Sequence, residues 1–361
     1  MLADYKPRSL ALVGTCLVSL QLARLNAAPR AILHQNRTSP RVTIPLTQID
    51  SRATEVLIAV NPNAGSRAQM PIVEDLVHQL TTLNFHATVF HEIDALAAAA
   101  AEQTVAGTLR AVVAAGGDGT ARLVAEMTHE GTPLTILPLG TENLLAQHLE
   151  LSTDTRAIAL RIAAGLTVRL DAGQANGRLF TLMVGCGFDA DVVQRLHRDR
   201  RGHIHHLSYI KPIVDSIRNY DYPPLRVHYR KVNGKSAVLT ARWVFVVNLP
   251  RYAGGLNFAP SASGTDGLLD ICTFREGSLW SGLLYLGGVV LGQHEAMEDF
   301  FQAHSTEMKI ESKAQVPYQI DGDPGGELPL SISVLPQRLT VLVTRPWAER
   351  YGFDTEERVM M

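Results

Sequence analysis

Short apolar runs alternate with amphipathic segments from Val56 to Leu149. Buried strands are predicted by four runs, Val56–Val60, Ala87–Phe90, Arg110–Ala115 and Leu134–Pro138. Helices are predicted by the segments between and after them, Met70–Leu83, Asp94–Glu102, Thr120–His129 and Glu142–Leu149. Because strands that alternate with helices form a parallel sheet covered by helices, the pattern predicts an α/β domain over residues 54–167.

Strand-like runs dominate the chain from residue 168 onward. The predicted strands are Leu179–Val184, Leu225–Lys231, Ser236–Val247, Leu268–Phe274, Met308–Glu311, Tyr318–Ile320, Leu328–Val334 and Leu339–Val343. Asn233-Gly234 indicates a hairpin between two of them. Helices are predicted over Tyr209–Asn219 and Ser278–Ala303. We therefore expect a β-rich second domain over residues 168–344, with a tail at 345–361 that packs back on the first domain.

The first 53 residues do not continue the alternating pattern. Lys6 and Arg8 precede an apolar stretch, Leu10–Leu22, which is too short to span a membrane. A convincing small-residue cleavage site does not follow at the right distance. We therefore expect residues 1–53 to form a poorly ordered or peripheral extension rather than an export signal.

Composition narrows the class of protein. The 361 residues are 46% apolar, enough for two domains with full cores, and carry a formal net charge of −2. That charge argues against a general nucleic-acid binder. Cys16, Cys186 and Cys272 share no close spacing, so neither a disulfide framework nor a zinc site is indicated. A reducing, cytoplasmic setting is expected, and the sequence leaves the oligomeric state open.

Three loops rich in glycine, amide and hydroxyl groups follow predicted strands of the first domain. They are Asn61–Ser66, Gly116–Thr120 and Leu139–Asn143. In a parallel sheet these loops meet at the carboxyl edge, where ligands bind. Glycines bring main-chain N–H groups close to a ligand, and a helix N-terminus attracts phosphate. An Asp in such a loop implies a cation between it and the phosphate, so the loops predict a nucleotide site with Mg²⁺.

Two carboxylate-bearing turns lie in the β-rich part. Asp266-Gly267 is either an ordinary turn or an oxygen-ligand site for a hard cation. Asp321-Gly322-Asp323 is either turn chemistry or a pair of carboxylates that project into a cleft. Phosphoryl transfer to an alcohol needs positioning, charge neutralisation and a carboxylate near the attacking hydroxyl.

Taken in order, these motifs resemble the catalytic domain of the diacylglycerol kinase family, which includes sphingosine kinases, ceramide kinases and bacterial YegS-like lipid kinases. The resemblance covers about residues 55–345 and continues through Gly185–Ala190, Ala259-Pro260, Asp266–Asp270 and Gln319–Asp323. Gly116–Thr120 alone is shared with NAD kinases and phosphofructokinase-like enzymes. The resemblance thus implies an NAD kinase- or phosphofructokinase-like α/β domain followed by a β-rich domain.

The resemblance also implies a set of site residues. ATP contacts are implied for Asn61, Pro62, Asn63, Ala64, Gly65, Gly116, Gly117, Asp118, Gly119, Thr120 and Thr141. Asp118 is implied to act near the phosphates and Mg²⁺, and Asp323 to be the proton acceptor. A structural Mg²⁺ is implied at Asp266, with the main-chain carbonyls of Ser263 and Leu268 as further ligands. Substitution of Asp118 or Asp323 by alanine is expected to remove phosphoryl transfer and leave the fold intact.

Several positions depart from the family pattern. Arg122 and Leu123 stand where many members have Asn-Glu, and Leu144 stands where the third loop often has Asp. Asp323 replaces a Glu of the bacterial enzymes and is one methylene shorter. A Thr that contacts nucleotide in relatives falls near Glu92 without a clear counterpart. These changes leave an altered substrate, slow chemistry or lost catalysis open.

The sequence thus predicts an ATP- and Mg²⁺-dependent lipid kinase that phosphorylates a hydroxyl of a lipid such as diacylglycerol or a sphingoid base. Two alternatives stay open: an NAD kinase-like enzyme with a soluble substrate, and a non-catalytic nucleotide or lipid sensor. The basic segment Arg195–Lys211 is either a patch for anionic lipid at the inner membrane face or a solvated loop. The apolar segment Leu279–Leu291 is either core or part of a lipid-chain groove.

Overall fold

The computed structural model describes residues 45–60, 69–198, 216, 220–251 and 256–359. The helices among these residues are α1 (Met70–Thr82), α2 (Ile93–Val105), α3 (Asp118–Met127), α4 (Leu144–His148), α5 (Thr155–Ala164), α6 (Phe188–Arg198), α7 (Leu279–Leu291) and α8 (Arg345–Arg350), with a 3₁₀ turn at His294–Ala296. The strands of the first half are β1 (Pro45–Gln48), β2 (Glu55–Val60), β3 (His86–Phe90), β4 (Leu109–Gly116), β5 (Pro133–Pro138), β6 (Leu166–Ala175), β7 (Arg178–Phe180) and β8 (Met183–Gly187). Those of the second half are β9 (Leu225–Lys231), β10 (Ser236–Ala241), β11 (Trp243–Val247), β12 (Leu269–Phe274), β13 (Phe300–Glu311), β14 (Pro317–Ile320), β15 (Asp323–Glu327), β16 (Leu330–Leu342) and β17 (Asp354–Val359).

The N-terminal region is built on parallel strands. β2 lies between β3 and β4, and β4 pairs with β5, all in parallel register. Alternate residues of β2 enter two different cores: Val56 packs in the cluster that contains Leu76 of α1, and Leu57 packs in the cluster that contains Leu96 of α2 and Val124 of α3. Because both faces of the sheet are covered, the strands read as continuous apolar runs, as the sequence predicted.

Antiparallel pairing dominates the second half. β8 pairs with β11 and β14, β12 lies between β11 and β13, and β9 joins β13 to β10. β16 pairs in parallel with β5 and antiparallel with β6 and β13. Hydrogen bonding between strands thus runs from the parallel region into the antiparallel one. The domain boundary at residues 167 and 168 stays a prediction.

Several predicted elements need correction. The predicted helix Ser278–Ala303 ends at Leu291, where Gly292 adopts a left-handed φ of 68°, and Phe300–Ala303 belongs to β13 because it pairs with β12. The predicted strand Ser236–Val247 is two strands that separate at Arg242. The predicted strands Leu328–Val334 and Leu339–Val343 are one strand, β16, with a register shift between Leu335 and Leu339.

Both ends of the described chain add to the first half. β1 lies inside the predicted extension 1–53 and pairs with β6 and β17. In α8, the side chain of Trp347 is fully buried, and its indole N–H donates to the main-chain oxygen of His148 at 2.8 Å. The tail after residue 344 therefore contacts α4, next to the third glycine-containing loop. The predicted helix Tyr209–Asn219 falls mostly outside the described residues.

Candidate active site

The turn between β4 and α3 is in direct main-chain contact with the loop after β5. A β-carbon placed on Gly140 would lie 2.5 Å from the α-carbon of Gly117, and one placed on Gly117 would lie 3.2 Å from that of Gly140. The N–H of Leu139 donates to the main-chain oxygen of Gly116 at 3.0 Å. A side chain does not fit at Gly140, so glycine is required for the two loops to approach.

Asp118, the first residue of α3, holds the third loop through its carboxylate. The N–H of Leu144 donates to its Oδ2 at 2.9 Å, and the N–H of Leu145 donates to its Oδ1 at 3.0 Å. Burial raises the pKa of Asp118, and the hydrogen bonds from Leu145 and Leu144 oppose that rise. Because Leu144 contributes its main chain, its departure from the family pattern leaves this contact in place.

The third loop presents Thr141 at the surface. Asn143 adopts a left-handed φ of 51°. Its Oδ1 accepts from the N–H of Gly140 at 2.9 Å, and its Nδ2 donates to the oxygen of Gly140 at 2.8 Å. These bonds close the loop on itself, and Thr141 lies exposed at its tip. The residue is therefore accessible to a ligand at this sheet edge.

Asp321 organises the hairpin between β14 and β15. Its carboxylate accepts from the N–H groups of Thr181, Leu182 and Met183 at 2.7 to 2.9 Å, and from the hydroxyl of Thr181 at 3.1 Å. Burial raises the pKa of Asp321 to about 6, against the lowering effect of these hydrogen bonds. The first carboxylate of the Asp-Gly-Asp turn therefore fixes the backbone between β7 and β8.

Asp323 brings the hairpin to the turn Gly116–Thr120, which we name the phosphate turn because the sequence predicts that it binds phosphate. Its Oδ2 lies 3.5 Å from the position that a β-carbon on Gly119 would occupy. The same oxygen lies 3.6 Å from Nη2 of Arg122, and Oδ1 lies 3.7 Å from Nε2 of His197. The side chain is 42% exposed, so one part of it faces protein and another faces solvent.

Nearby cations set the protonation state of Asp323. Burial raises the pKa of Asp323. The contact with His197 and the charges of Arg122, His197 and Arg178 together lower the pKa by more than burial raises it, so the net shift is downward. The carboxylate is therefore ionised at neutral pH and can accept a hydrogen bond or a proton.

The turn at Asp266-Gly267 is fixed by a buried carboxylate, Asp171, which the sequence did not predict as a functional residue. Oδ2 of Asp171 accepts from the N–H of Gly267 at 2.7 Å, and its Oδ1 accepts from the N–H of Gln337 at 2.7 Å. Burial raises the pKa of Asp171. Asp171 is a buried acid in β6, and the sequence around it has no motif that marks it as a functional residue.

The donors that the resemblance implies at Asp266 are of a type that suits a hard cation. The described part of the chain contains no group of three or more His, Cys, Asp or Glu side chains that could hold a metal ion. The set implied at Asp266 differs in kind, because it combines one carboxylate with the main-chain oxygens of Ser263 and Leu268. Gly267 makes the turn with a φ of 69°, and Oδ1 of Asp266 accepts from the N–H of Leu268 at 3.1 Å. Oxygen donors of this type fit Mg²⁺ or Ca²⁺.

The sequence-predicted residues therefore form two groups. Gly116–Thr120, Thr141 and Asp323 lie around the N-terminus of α3, and the Asp266 turn is fixed separately through Asp171. Asn61, Pro62, Asn63, Ala64 and Gly65 lie outside the described residues. Arg122 and His197 join the first group, although the sequence marked them only as a departure and as part of a basic segment.

An α/β half with a glycine-lined phosphate turn, completed by a carboxylate from a β-rich half, defines a kinase-type site. A family model of the diacylglycerol kinase catalytic domain matches residues 55–175, and one of the YegS C-terminal NAD kinase beta sandwich-like domain matches residues 182–343. The chain belongs to the diacylglycerol kinase family and is a lipid kinase. This class favours the predicted lipid kinase over the two alternatives.

Named relatives agree with this assignment. A diacylglycerol kinase of Mycobacterium tuberculosis is 30% identical over 259 residues, which cover 69% of this chain and 80% of that protein. A diacylglycerol kinase of Bacillus subtilis is 23% identical over 66% of this chain and 79% of that protein. Crystal structures from Bacillus anthracis str. Sterne, one of them named a diacylglycerol kinase, give TM-scores of 0.56 to 0.62 at 20 to 23% identity, over 81% of this chain and 98% of those chains. These structures support the fold.

Within the described residues, every helix is too short or too polar to cross a bilayer.

Proposed function

We propose that this lipid kinase transfers the γ-phosphoryl group of ATP, with Mg²⁺, to a hydroxyl of a membrane lipid such as diacylglycerol or a sphingoid base. One observation carries the proposal: the Asp323 carboxylate lies beside Gly119 at the start of α3. This arrangement supports a site in which a nucleotide phosphate at the helix N-terminus and a proton acceptor approach the same hydroxyl. The named substrate of two relatives is diacylglycerol.

The phosphate turn fits a nucleotide because its surface is main chain rather than side chain. Gly117 and Gly140 touch through their α-carbons, and Gly119 leaves the space in front of Asp323 free of a β-carbon. ATP, when bound, supplies the phosphoryl group and Mg²⁺ neutralises its charge. Main-chain N–H groups at the start of α3 orient the phosphates, and Asp118 keeps the Thr141 loop beside them.

In this mechanism Asp323 acts on the acceptor hydroxyl. Its carboxylate is ionised at neutral pH, since the charges around it lower its pKa. It accepts the hydroxyl proton while the lipid oxygen attacks the phosphoryl group, and general base catalysis of this kind contributes about 10²- to 10⁴-fold in rate. Asp321 keeps the hairpin in register by fixing residues 181–183.

The lipid is proposed to come from a bilayer that contacts the outer face of α7. Tyr285 and Val289 bury the inner face of this helix, which supports core packing. On the outer face Trp280, Leu284 and Leu291 are 78%, 63% and 58% exposed. The sequence has no charged residue between Glu276 and His294. An exposed apolar helix face with a Trp is typical of helices that lie in a membrane interface.

The test is transfer of labelled phosphate from ATP, with Mg²⁺, into mixed micelles that contain diacylglycerol, a sphingoid base or a phospholipid. We expect one labelled lipid, its loss on chelation of Mg²⁺, and a decrease of at least about 100-fold in D323A. D323E is the matched control, because it keeps the carboxylate, and it should retain more activity than D323A. Labelled NAD, or ATP binding without any labelled product, would overturn the proposal.

A further inference from the structure

The carboxylate of Asp323 lies between two basic side chains that come from different helices. Nη2 of Arg122, on α3, is 3.6 Å from Oδ2, and Nε2 of His197, on α6, is 3.7 Å from Oδ1. Oδ2 is also the oxygen beside Gly119 in the phosphate turn. The two oxygens therefore have different surroundings: one faces the phosphate turn and a guanidinium, and the other faces an imidazole.

Arg122 is held in place by its own helix. The residue is only 8% exposed, and its Nη1 donates to Oε2 of Glu126, one turn later on α3, at 3.0 Å. A buried guanidinium that is fixed on one side presents its remaining N–H groups in a set direction. Arg122 therefore restricts where the shorter side chain of Asp323 places its carboxylate.

The tautomer of His197 follows from its second ring nitrogen. Nδ1 lies 3.2 Å from the main-chain oxygen of Val193, one turn earlier on α6. A carbonyl oxygen only accepts, so Nδ1 carries the proton and donates it. Nε2 is then the nitrogen that gains or loses a proton, and it is the nitrogen that faces Asp323. The imidazolium has a partner at both nitrogens, the oxygen of Val193 and the carboxylate of Asp323.

We propose that His197 is the proton partner of Asp323, with Arg122 as the residue that positions the carboxylate between them. The inference deepens the proposed function and rests on it. In the transfer step the O–H bond of the lipid hydroxyl breaks and an O–P bond forms. The bond from the phosphorus to the nucleotide oxygen breaks, and its electron pair stays on the nucleotide. Asp323 takes the proton and passes it to Nε2 of a neutral His197, and the imidazolium that forms releases the proton to water.

The charges around Asp323 explain why a second group is needed. Although burial raises the pKa of Asp323, the contact with His197 and the charges of Arg122 and Arg178 bring it below the usual range. A carboxylate in this environment is a weak base, so a proton that it takes has to move on. An imidazole changes charge near neutral pH, and the His197 side chain is 25% exposed, which gives the proton access to solvent.

The first test is kinetic and uses phosphate transfer from ATP to diacylglycerol in mixed micelles between pH 5 and 9. H197Q is expected to lower kcat at least about tenfold, to leave the KM for ATP nearly unchanged, and to remove the limb of the kcat profile that falls toward acid pH. D323N/H197Q should be no slower than D323N, since both residues act on one proton. H228Q is the matched control, because His228 also pairs with a carboxylate, Glu311, at 3.1 Å. A kcat profile in H197Q with the wild-type shape would overturn the proposal.

The second test is independent of kinase activity and follows the two ring nitrogens of His197 by NMR in the unliganded full-length protein. In D323N the Nε2 resonance should shift more than the Nδ1 resonance, because only Nε2 faces the carboxylate. In R122Q the Nε2 resonance should also shift, because Arg122 no longer positions that carboxylate, and R122K should restore most of the wild-type value. An Nε2 resonance that is the same in wild type and D323N would overturn the proposal. If this resonance shifts but no lipid is phosphorylated, the proton pair stands and the proposed function fails.

Discussion

The carboxylate of Asp118 and the main-chain N–H of Leu144 are joined by a hydrogen bond of 2.9 Å. This bond, with its neighbour from Leu145, ties the first turn of α3 to the start of α4. The residue expected to organise phosphate and Mg²⁺ thus also has a structural role. Its substitution is therefore expected to affect both activity and folding, which revises the expectation from sequence that the fold of D118A stays intact.

For D118A we expect loss of phosphoryl transfer together with a decrease of about 1–3 kcal/mol in the free energy of unfolding. The physical reason is that the buried N–H groups of Leu144 and Leu145 lose their acceptor. Urea unfolding measures the stability and the micelle assay the activity. D118N, which keeps one acceptor oxygen, should be destabilised less. An inactive D118A with wild-type stability would show that the two hydrogen bonds contribute little.

Because Gly140 contacts Gly117, we expect the variant G140A to bind ATP weakly and to be less stable than the wild type. Its new β-carbon would lie 2.5 Å from the α-carbon of Gly117, so the two loops have to separate. We expect weaker ATP binding and a lower melting temperature, measured by calorimetry. G287A is the control: its β-carbon meets open space on α7, and alanine favours a helix by about 0.5–1 kcal/mol over glycine. If G140A and G287A have the same ATP affinity and the same melting temperature, the contact between Gly140 and Gly117 does not determine the structure of the two loops.

Asp171 predicts a stability defect away from the phosphate turn. D171A leaves the N–H groups of Gly267 and Gln337 without their acceptor and should lower the free energy of unfolding by about 2 kcal/mol or more. If the Asp266 turn binds Mg²⁺, as the family resemblance implies, the same change should also reduce stabilisation by Mg²⁺, because the turn is no longer fixed. Melting temperatures with and without Mg²⁺ measure both effects, and D171N should be milder. If Mg²⁺ changes the melting temperature of D171A as it changes that of the wild type, Asp171 does not fix the turn.

The pKa of Asp321, raised by burial to about 6, predicts a pH-dependent stability. The unfolded-state value is about 3.9. Because the folded pKa is the higher one, the contribution of Asp321 is fully present below about pH 4 and is lost as the pH rises through about 6. Over that interval wild type should lose at most about 3 kcal/mol relative to D321N, which lacks the ionisation. Urea unfolding at pH 4, 5, 6 and 7 measures the difference, and a constant difference would contradict the assignment.

The outer face of α7 predicts membrane binding through apolar contact. W280E should reduce the fraction of protein that co-sediments with phosphatidylglycerol–phosphatidylcholine vesicles about tenfold, since it removes a large exposed apolar side chain. V105E is the control, because Val105 is an isolated, highly exposed apolar residue on α2. If both variants bind vesicles like the wild type, the membrane contacts another surface.

The sequence by itself determined the elements and motifs whose signal is local. The apolar runs around β2, β4 and β5 predicted a parallel sheet, and the glycine turn at Gly116–Thr120 was predicted at the start of a helix, as the structure has it. A glycine, a short apolar run or a helical repeat is read within a few residues, so these features follow from the chain alone.

Tertiary structure decided what depends on distant partners. Phe300–Ala303 was predicted as the end of the helix Ser278–Ala303, and it is a strand because β12 pairs with it. Asp171 stands in a strand without a recognisable motif, and its role comes from Gly267 and Gln337. Arg122 and Asp323 come together across the fold. Hydrogen bonds and ion pairs between residues far apart in the chain depend on how many elements are arranged in the fold. The local sequence pattern does not determine that arrangement, so these contacts cannot be predicted from it.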